Sequence, residues 1–503
     1  MRSQARLFFL LFGLIGLVKC DEDEFLYGKF PPGFKWGLSV ASYQTEGAYQ
    51  EDGKGVSIWD TFTHQTPSPI LDESNGDIAC LSYHKSEEDV QLLKNMGATT
   101  YRFSLSWARI LPNGTVDNIN AKGIEYYDKL INLLIKNGIE PVVTLYHWDL
   151  PQHLQDLTGG WPSEEMIPYF VQYAELAFSK FGDRVKTWTT FNEAWVVCLI
   201  GYGEGVFAPG IKEISETPYK CAHTILKAHA QTYRMFDEKF RPKFGGKLGI
   251  VIDSGWYIAA DENDPKDVDA VERALQFKHG LFASPLVFGK YPDIVRKYVD
   301  EKSQNEGRSS SRLPTFDEEW STFLSGGVVD FLGLNHYTTQ MVSAKPTRGP
   351  PSWYTDQDLS TYQDDAWPKS ASSWLRVVPS GFRHILNWIK NTYGNIEVLV
   401  TENGFSDTAD ADWNDDDRVN YFKQYTNNML KAVTIDGCNV TGYLGWSLLD
   451  NFEWASGYTE RFGVHWVNFS DPDRTRTPKK SAAFLKELFT NNGFAKVDKK
   501  DEF

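Results

Sequence analysis

Along this chain, short runs of apolar, β-branched and aromatic residues alternate with longer stretches in which apolar positions recur every three to four residues. The short runs read as strands and the longer ones as helices, because side chains repeat every two residues in a strand and every 3.6 in a helix. Strand-like runs lie at 34–41, 99–107, 140–147, 185–192, 247–253, 330–337, 397–403 and 442–449, which makes eight. Helical patterning fills 86–96, 121–136, 163–181, 220–240, 382–392 and 415–434. Strands that alternate with helices pair in parallel through crossover connections, and eight is the number that closes a barrel. A doubly wound sheet would carry a glycine-rich phosphate turn after its first strand. Here Trp36-Gly37-Leu38 leads instead into Gln44 and Glu46, and no G-x-G-x-x-G, Walker or H-E-x-x-H pattern follows. The expected fold is therefore α/β, a single (β/α)8 TIM barrel. Its long connections, 304–320 and 345–373, are rich in Ser, Pro, Gly and Trp and are expected to shape the mouth at the C-terminal face of the strands.

Composition and short motifs add to this picture. The formal charge is −16 with no basic cluster, which excludes the Lys/Arg patches that nucleic acid demands. Arg2 and Arg6 precede a short apolar run from Leu7 to Val18, so residues 1–20 read as a secretory signal peptide and 21–503 as one barrel domain. Removing that leader takes the charge to −19, and no later segment is apolar for long enough to span a membrane. Four cysteines then remain, Cys80, Cys198, Cys221 and Cys438, which allow three full pairings. They lack zinc-ligand spacing, so neither metal nor cofactor is expected. Sequons at Asn113, Asn439 and Asn468 fit an N-glycosylated secreted protein. The terminal Lys500-Asp501-Glu502-Phe503 is similar to a degraded ER-retrieval signal, but a solvated charged tail is the preferred reading.

Candidate chemistry collects where the strands end, the face on which such barrels place their active sites. Gln44 follows the first run and Arg102 lies in the second. The third ends at His147-Trp148-Asp149 and the fourth at Asn192-Glu193. Asn335-His336-Tyr337 closes the sixth, Glu402-Asn403-Gly404 the seventh, and Trp446 with Glu453-Trp454 the eighth. The fifth, ending near Asp253, is the least informative. Glycosidic cleavage suits this set, since an acetal needs its leaving oxygen protonated and its oxocarbenium-like carbon stabilised. Two carboxyl groups do both, and a separation of about 5–5.5 Å lets one attack directly with net retention. Glu193 and Glu402, from strands facing each other across the ring, form that pair. Arg102 and a hydrogen bond from Tyr337 favour an ionised Glu402 as nucleophile. Its charge would raise the pKa of Glu193, the acid that later serves as base.

At these residues the sequence resembles glycoside hydrolase family 1, the β-glucosidase family. The matching segments are Phe34-Lys35-Trp36-Gly37 with Gln44-Thr45-Glu46-Gly47, Tyr101 to Trp107, His147-Trp148-Asp149-Leu150-Pro151, Thr190-Phe191-Asn192-Glu193, Thr401-Glu402-Asn403-Gly404 and Trp446 to Trp454. The resemblance implies that Gln44, His147, Asn192, Asn335, Glu453 and Trp454 bind hydroxyls of the non-reducing sugar, with Trp446 a platform beneath it. His336, between Asn335 and Tyr337, is expected to point away from their face. Trp374 is a candidate platform for the leaving group. Plant-type myrosinases carry Gln at the position of Glu193, and phospho-glycosidases lack the acid at Glu453, so an unphosphorylated glucoside or galactoside is favoured. The expectation is a retaining exo-β-glycosidase acting on a small-molecule β-glycoside, β-glucosidase in type. Thioglucosidase and transglycosidase activity remain alternatives. A non-catalytic sugar-binding protein would be expected to have lost one glutamate.

Overall fold

The computed structural model describes residues 24–496. The leader 1–20 and the tetrapeptide 500–503 lie outside the described residues. Eight parallel strands close a barrel: β1 (Lys35–Ser39), β2 (Thr100–Ser104), β3 (Glu140–Tyr146), β4 (Thr187–Asn192), β5 (Lys247–Asp253), β6 (Leu332–Asn335), β7 (Val398–Glu402) and β8 (Val440–Trp446). Their order around the barrel follows the chain, each strand pairing with the next and β8 with β1. All eight expected strands are present: six fall within their apolar runs, β5 matches its run, and β8 begins two residues earlier than expected.

The six expected helices appear as Ser82–Asn95, Ala121–Lys136, Met166–Phe181, Thr217–Lys239, Ser380–Tyr393 and Asp416–Thr434. The connection between β5 and β6 adds helices that the pattern did not mark, Pro265–Leu275, Leu281–Phe288 and Asp293–Asn305. A final helix, Lys480–Asn491, leads to Gly493–Phe494, which pairs antiparallel with Gly28–Lys29. The two ends of the chain are thus tied together beside β1, where Trp36 Nε1 donates to the Asn492 side chain at 2.8 Å.

Inside the barrel, Val142, Phe331, Leu399 and Leu444 form a small separate apolar plug. Most of them stand near the starts of their strands, so they fill the barrel floor. The large core lies between the barrel and its helices. Above the plug the interior turns polar: the Thr144 and Thr189 hydroxyls bond at 2.9 Å, and Arg102 is fully buried. Pairing register slips at three places: between Val398 and Leu399 at the start of β7, between Thr189 and Asn192 on β4, and between Val400 and Glu402 on β7. Such irregularities re-aim side chains, and the last two sit at the approach to the two glutamates. A three-stranded sheet borders the mouth: Ser360–Tyr362 pairs antiparallel with Thr339–Ser343, which runs parallel to Trp256–Ala259. Of the two long connections, 345–373 contributes Thr347, Trp353, Tyr354 and Thr361 to the central cavity. The stretch 304–320 lies behind it and contributes no lining; its Arg312 pairs with Asp356 and so braces the helix Trp353–Asp356.

Candidate active site

A cavity of about 530 Å³ opens at the C-terminal ends of the strands. Glu193 follows the last residue of β4 and Glu402 is the last of β7; both line the cavity and both are buried. Glu193 has φ 50°, and its N–H donates to the Val251 carbonyl at 3.0 Å. Trp148 (φ 77°) and Trp454 (φ 49°), also cavity residues, share this left-handed conformation. It is uncommon for residues with a Cβ, and its clustering here marks a site where backbone strain is held by the surrounding structure. Gly404, just beyond Glu402, cannot be larger: a Cβ there would lie 2.0 Å from the Trp446 carbonyl oxygen.

Arg102 organises the floor of the site. Its Nη1 donates to Glu402 Oε1 at 2.7 Å, Nη2 to Asn192 Oδ1 at 2.6 Å, and Nε to Thr144 Oγ1 at 3.0 Å. Tyr337 donates to Glu402 Oε2 at 2.8 Å, so each carboxylate oxygen has a donor. The Asn335 amide donates to Glu193 Oε1 at 2.5 Å and to Asn192 Oδ1 at 3.2 Å, and its Cα partner on β7 is Glu402. One residue thus stands beside both carboxyl groups. Because Asn192 Oδ1 is occupied by Arg102, its NH2 faces His147 Nε2 at 3.0 Å. That ring nitrogen therefore accepts, and the proton resides on Nδ1. His147 Nδ1 and Gln44 Oε1 are buried and have no protein partner. Buried polar groups are nearly always paired, so a donor and an acceptor are held ready beside the cavity.

The two glutamates differ electrostatically. Burial pushes the Glu193 carboxyl well above the usual range, and the charges of Asp253 and Glu402 push it further; the Asn335 bond and Lys278 only partly offset this. Burial also raises Glu402, and Arg102, Tyr337 and Asn335 offset part of that rise, so that it stays above its usual range by less than Glu193 does. With an ion pair at 2.7 Å, Glu402 is the carboxyl held ionised and Glu193 the one that keeps its proton. Burial pushes Glu453 well above the usual range too. His147 is pulled well below its ordinary value by burial and by Arg102, and is neutral at pH 7.

Of the residues singled out from sequence, His147, Glu193, Asn335, Tyr337, Trp374, Glu402, Trp446, Glu453 and Trp454 line the cavity. Gln44, Arg102 and Asn192 stand one layer behind, fully buried. Gln44 Nε2 donates to Asn451 Oδ1 (3.0 Å) and the Phe452 carbonyl (2.9 Å), and reaches Glu453 at 3.5 Å. His336 faces away, bonding the Ser254 carbonyl and stacking on Phe382. The His147 ring lies nearly parallel to Trp446 on one side and Trp454 on another, at 6.0 Å from each. Trp374, 46% exposed, meets Tyr337 edge-on and lies nearly parallel to Phe462 at the cavity rim. Sequence reasoning missed Lys278, which comes from Gln276–Gly280 and pairs with Asp253 in the cavity wall. The strand-end position of Asp253 was visible, whereas nothing in the spacing tied Lys278 to it.

Away from the site, Cys198 and Cys221 form a disulfide, while Cys80 and Cys438 are free and buried. Asn439 is exposed, and Asn113 and Asn468 are half-buried. Among the described residues no helix is long and apolar enough to cross a membrane.

Residues 26–494 match the model of glycosyl hydrolase family 1. The chain is 45% identical over 496 residues to the lactase/phlorizin hydrolase of Rattus norvegicus; the match covers 98% of this chain and 26% of that protein. The chain thus spans about a quarter of the length of that relative. Myrosinase 1 of Brevicoryne brassicae is 46% identical over 461 residues, 92% of this chain and 98% of that one. A solved aphid myrosinase superposes with a TM-score of 0.89 at 45% identity, covering 93% of this chain and all of the other. A closed eight-stranded barrel, two buried glutamates at facing strand ends and this match over nearly the whole chain agree: the chain belongs to glycosyl hydrolase family 1.

Proposed function

We propose that this protein is a retaining exo-β-glycosidase of the β-glucosidase type, with Glu402 as nucleophile and Glu193 as acid/base. The observation that carries the reading is the contrast between the two carboxyl groups of one cavity. Glu402 receives Arg102 and Tyr337, and Glu193 is buried without a cation at hydrogen-bond distance. Both stand beside Asn335, which donates to Glu193 and is the register partner of Glu402, and this supports the short separation, about 5–5.5 Å, that direct attack requires; an intervening water needs about 6.5–9.5 Å.

In the first step a Glu402 oxygen attacks the anomeric carbon while Glu193 gives its proton to the glycosidic oxygen. The leaving group departs as an alcohol and a glycosyl ester remains on Glu402. Forming that ester removes the negative charge that raised Glu193, so its pKa falls. Glu193 then takes a proton from water, whose oxygen attacks the same carbon from the side the leaving group vacated. Two inversions give net retention. Neutral His147, Gln44 and Glu453 supply donors and acceptors for ring hydroxyls, and Trp446 an aromatic face for C–H groups.

The test is hydrolysis of a nitrophenyl β-glucoside by the purified protein beside Glu402→Ala. Turnover by the first and none by the second is expected, and the first-formed sugar should be the β-anomer by NMR. Full turnover by the variant would refute the assignment. The likeness to Myrosinase 1 favours a second reading, a thioglucosidase, and the same assay with a thioglucoside separates the two. The disulfide and the surface sequons support residence in an oxidising, secretory compartment.

A further inference from the structure

One charged pair of the cavity, besides biasing the proton of Glu193, has hydrogen-bonding capacity that this chemistry does not use. Asp253 ends β5, and its Cα partner on β6 is Asn335, whose amide reaches Glu193. Asp253 Oδ2 pairs with the ammonium of Lys278, which sits 2.9 Å from the centroid of the Trp195 ring. Trp195 is two residues beyond Glu193, so the ion pair flanks the proton donor. The two side chains are 16% and 10% exposed, yet both line the cavity. Withdrawing ions to this degree costs several kcal/mol each, and apolar residues of similar volume are often the more stable choice. The pair closes no helix and bridges no barrel strands, so stability alone does not account for it.

Its hydrogen-bonding capacity is only partly spent. Asp253 Oδ1 has no protein partner. Lys278 carries three N–H donors, and among the described residues its one carboxylate partner is Asp253. A neutral pair that offers an acceptor and donors together suits a hydroxyl, which both gives and takes a hydrogen bond. An anionic group would compete with Asp253 for the ammonium, and a cationic group would compete with Lys278. Trp195 packs on Lys278 with Trp353 against it, and Phe207 and Trp374 line the same cavity, aromatic surface that suits the C–H face of a sugar ring. The leaving group must lie on the Glu193 side, since Glu193 protonates its oxygen.

The geometry points to a built leaving-group subsite in which Asp253 and Lys278 select an uncharged polyhydroxyl leaving group, a second sugar, over an apolar one. The inference rests on the glycosidase reading above. Its test is the double variant Asp253→Leu/Lys278→Met, which removes both charges together while keeping side-chain volume, so that neither ion is left unpaired. The readout is the ratio of kcat/KM on a β-linked glucose disaccharide to that on cyclohexyl β-glucoside, since both leaving groups need the proton of Glu193 and a change in that acid cancels. A fall in that ratio of about 10–100-fold is expected, the size of a lost hydrogen bond to a charged group. A ratio held within threefold would overturn the subsite. A measurement on the unmutated protein does not depend on the variant's folding. Cyclohexyl β-glucoside, with a six-membered ring bearing no hydroxyls, should show a KM at least tenfold above that of the disaccharide; an equal or lower KM would overturn the proposal. Turnover of none of these glucosides by the unmutated protein would instead refute the glycosidase reading, and with it the proposal built upon it.

Discussion

Replacing Tyr337 by Phe removes one hydroxyl and leaves the ring that packs against Trp374 and Phe462. The lost group donates to Glu402 Oε2 at 2.8 Å in a buried site, while Arg102 keeps the other oxygen. A hydrogen bond to a charged group contributes about 1.5–3 kcal/mol. At about 1.36 kcal/mol per pH unit, its loss raises the Glu402 pKa by about 1–2 units. The sign follows from which form the bond favours. Tyr337 stabilises the ionised form of Glu402, the proposed nucleophile, so without it Glu402 is expected to stay protonated to higher pH. The acidic limb of kcat/KM should therefore move up by about 1–2 units and the bell should narrow, because this limb reports the free enzyme's essential base. The measurement is kcat/KM for nitrophenyl β-glucoside across the pH range at constant ionic strength. An acidic limb that stays in place or moves down would refute the claim that Tyr337 holds Glu402 ionised.

Glu193→Ala should lose about 10²–10⁴-fold in kcat/KM on alkyl glucosides, the range of a missing general acid, and much less on nitrophenyl glucosides, whose leaving group needs little protonation; equal losses on both would argue against the acid role. Trp374→Ala should raise KM for aryl glucosides by about 2–12-fold, matching an aromatic contact of about 0.5–1.5 kcal/mol, and an unchanged KM would make the ring simple packing. Cys198→Ser/Cys221→Ser opens a loop with a sequence separation of 23, which on chain-entropy grounds costs about 3 kcal/mol; urea titration measures it, and an unchanged midpoint would mean that the bridge does not constrain the unfolded chain. Protein secreted from a eukaryotic host should lose mass on N-glycosidase treatment, and peptide mapping should place the sugars at Asn113, Asn439 or Asn468.

The barrel was legible in the chain because its signals are local. Each strand is a short apolar run between polar turns. The helix Ala121–Lys136 falls on its expected bounds because Asn120 precedes it and Asn137-Gly138 ends its periodic pattern. Glu193 and Glu402 were legible for the same reason, since a carboxyl at a strand end can be read without knowing its neighbours. The mouth sheet of Trp256–Ala259, Thr339–Ser343 and Ser360–Tyr362 was not, because strands of three to five residues are held by partners far along the chain. Arg102 and Tyr337 were expected to favour an ionised Glu402, and that expectation needed only the order of the strands. Three facts waited for the fold: Asn335 donates to Glu193, Gln44 and Asn192 stand behind the cavity wall, and Cys198 pairs with Cys221. The pair of Asp253 with Lys278 shows the limit most plainly. One residue ends a strand and the other sits in a helical turn after an intervening helix, and no periodicity relates them. Sequence by itself determined the alternation of strands and helices and the residues at the strand ends, because these depend on neighbours along the chain. Tertiary structure alone decided which of those residues meet and which are denied water, because burial and ion pairing depend on neighbours in space.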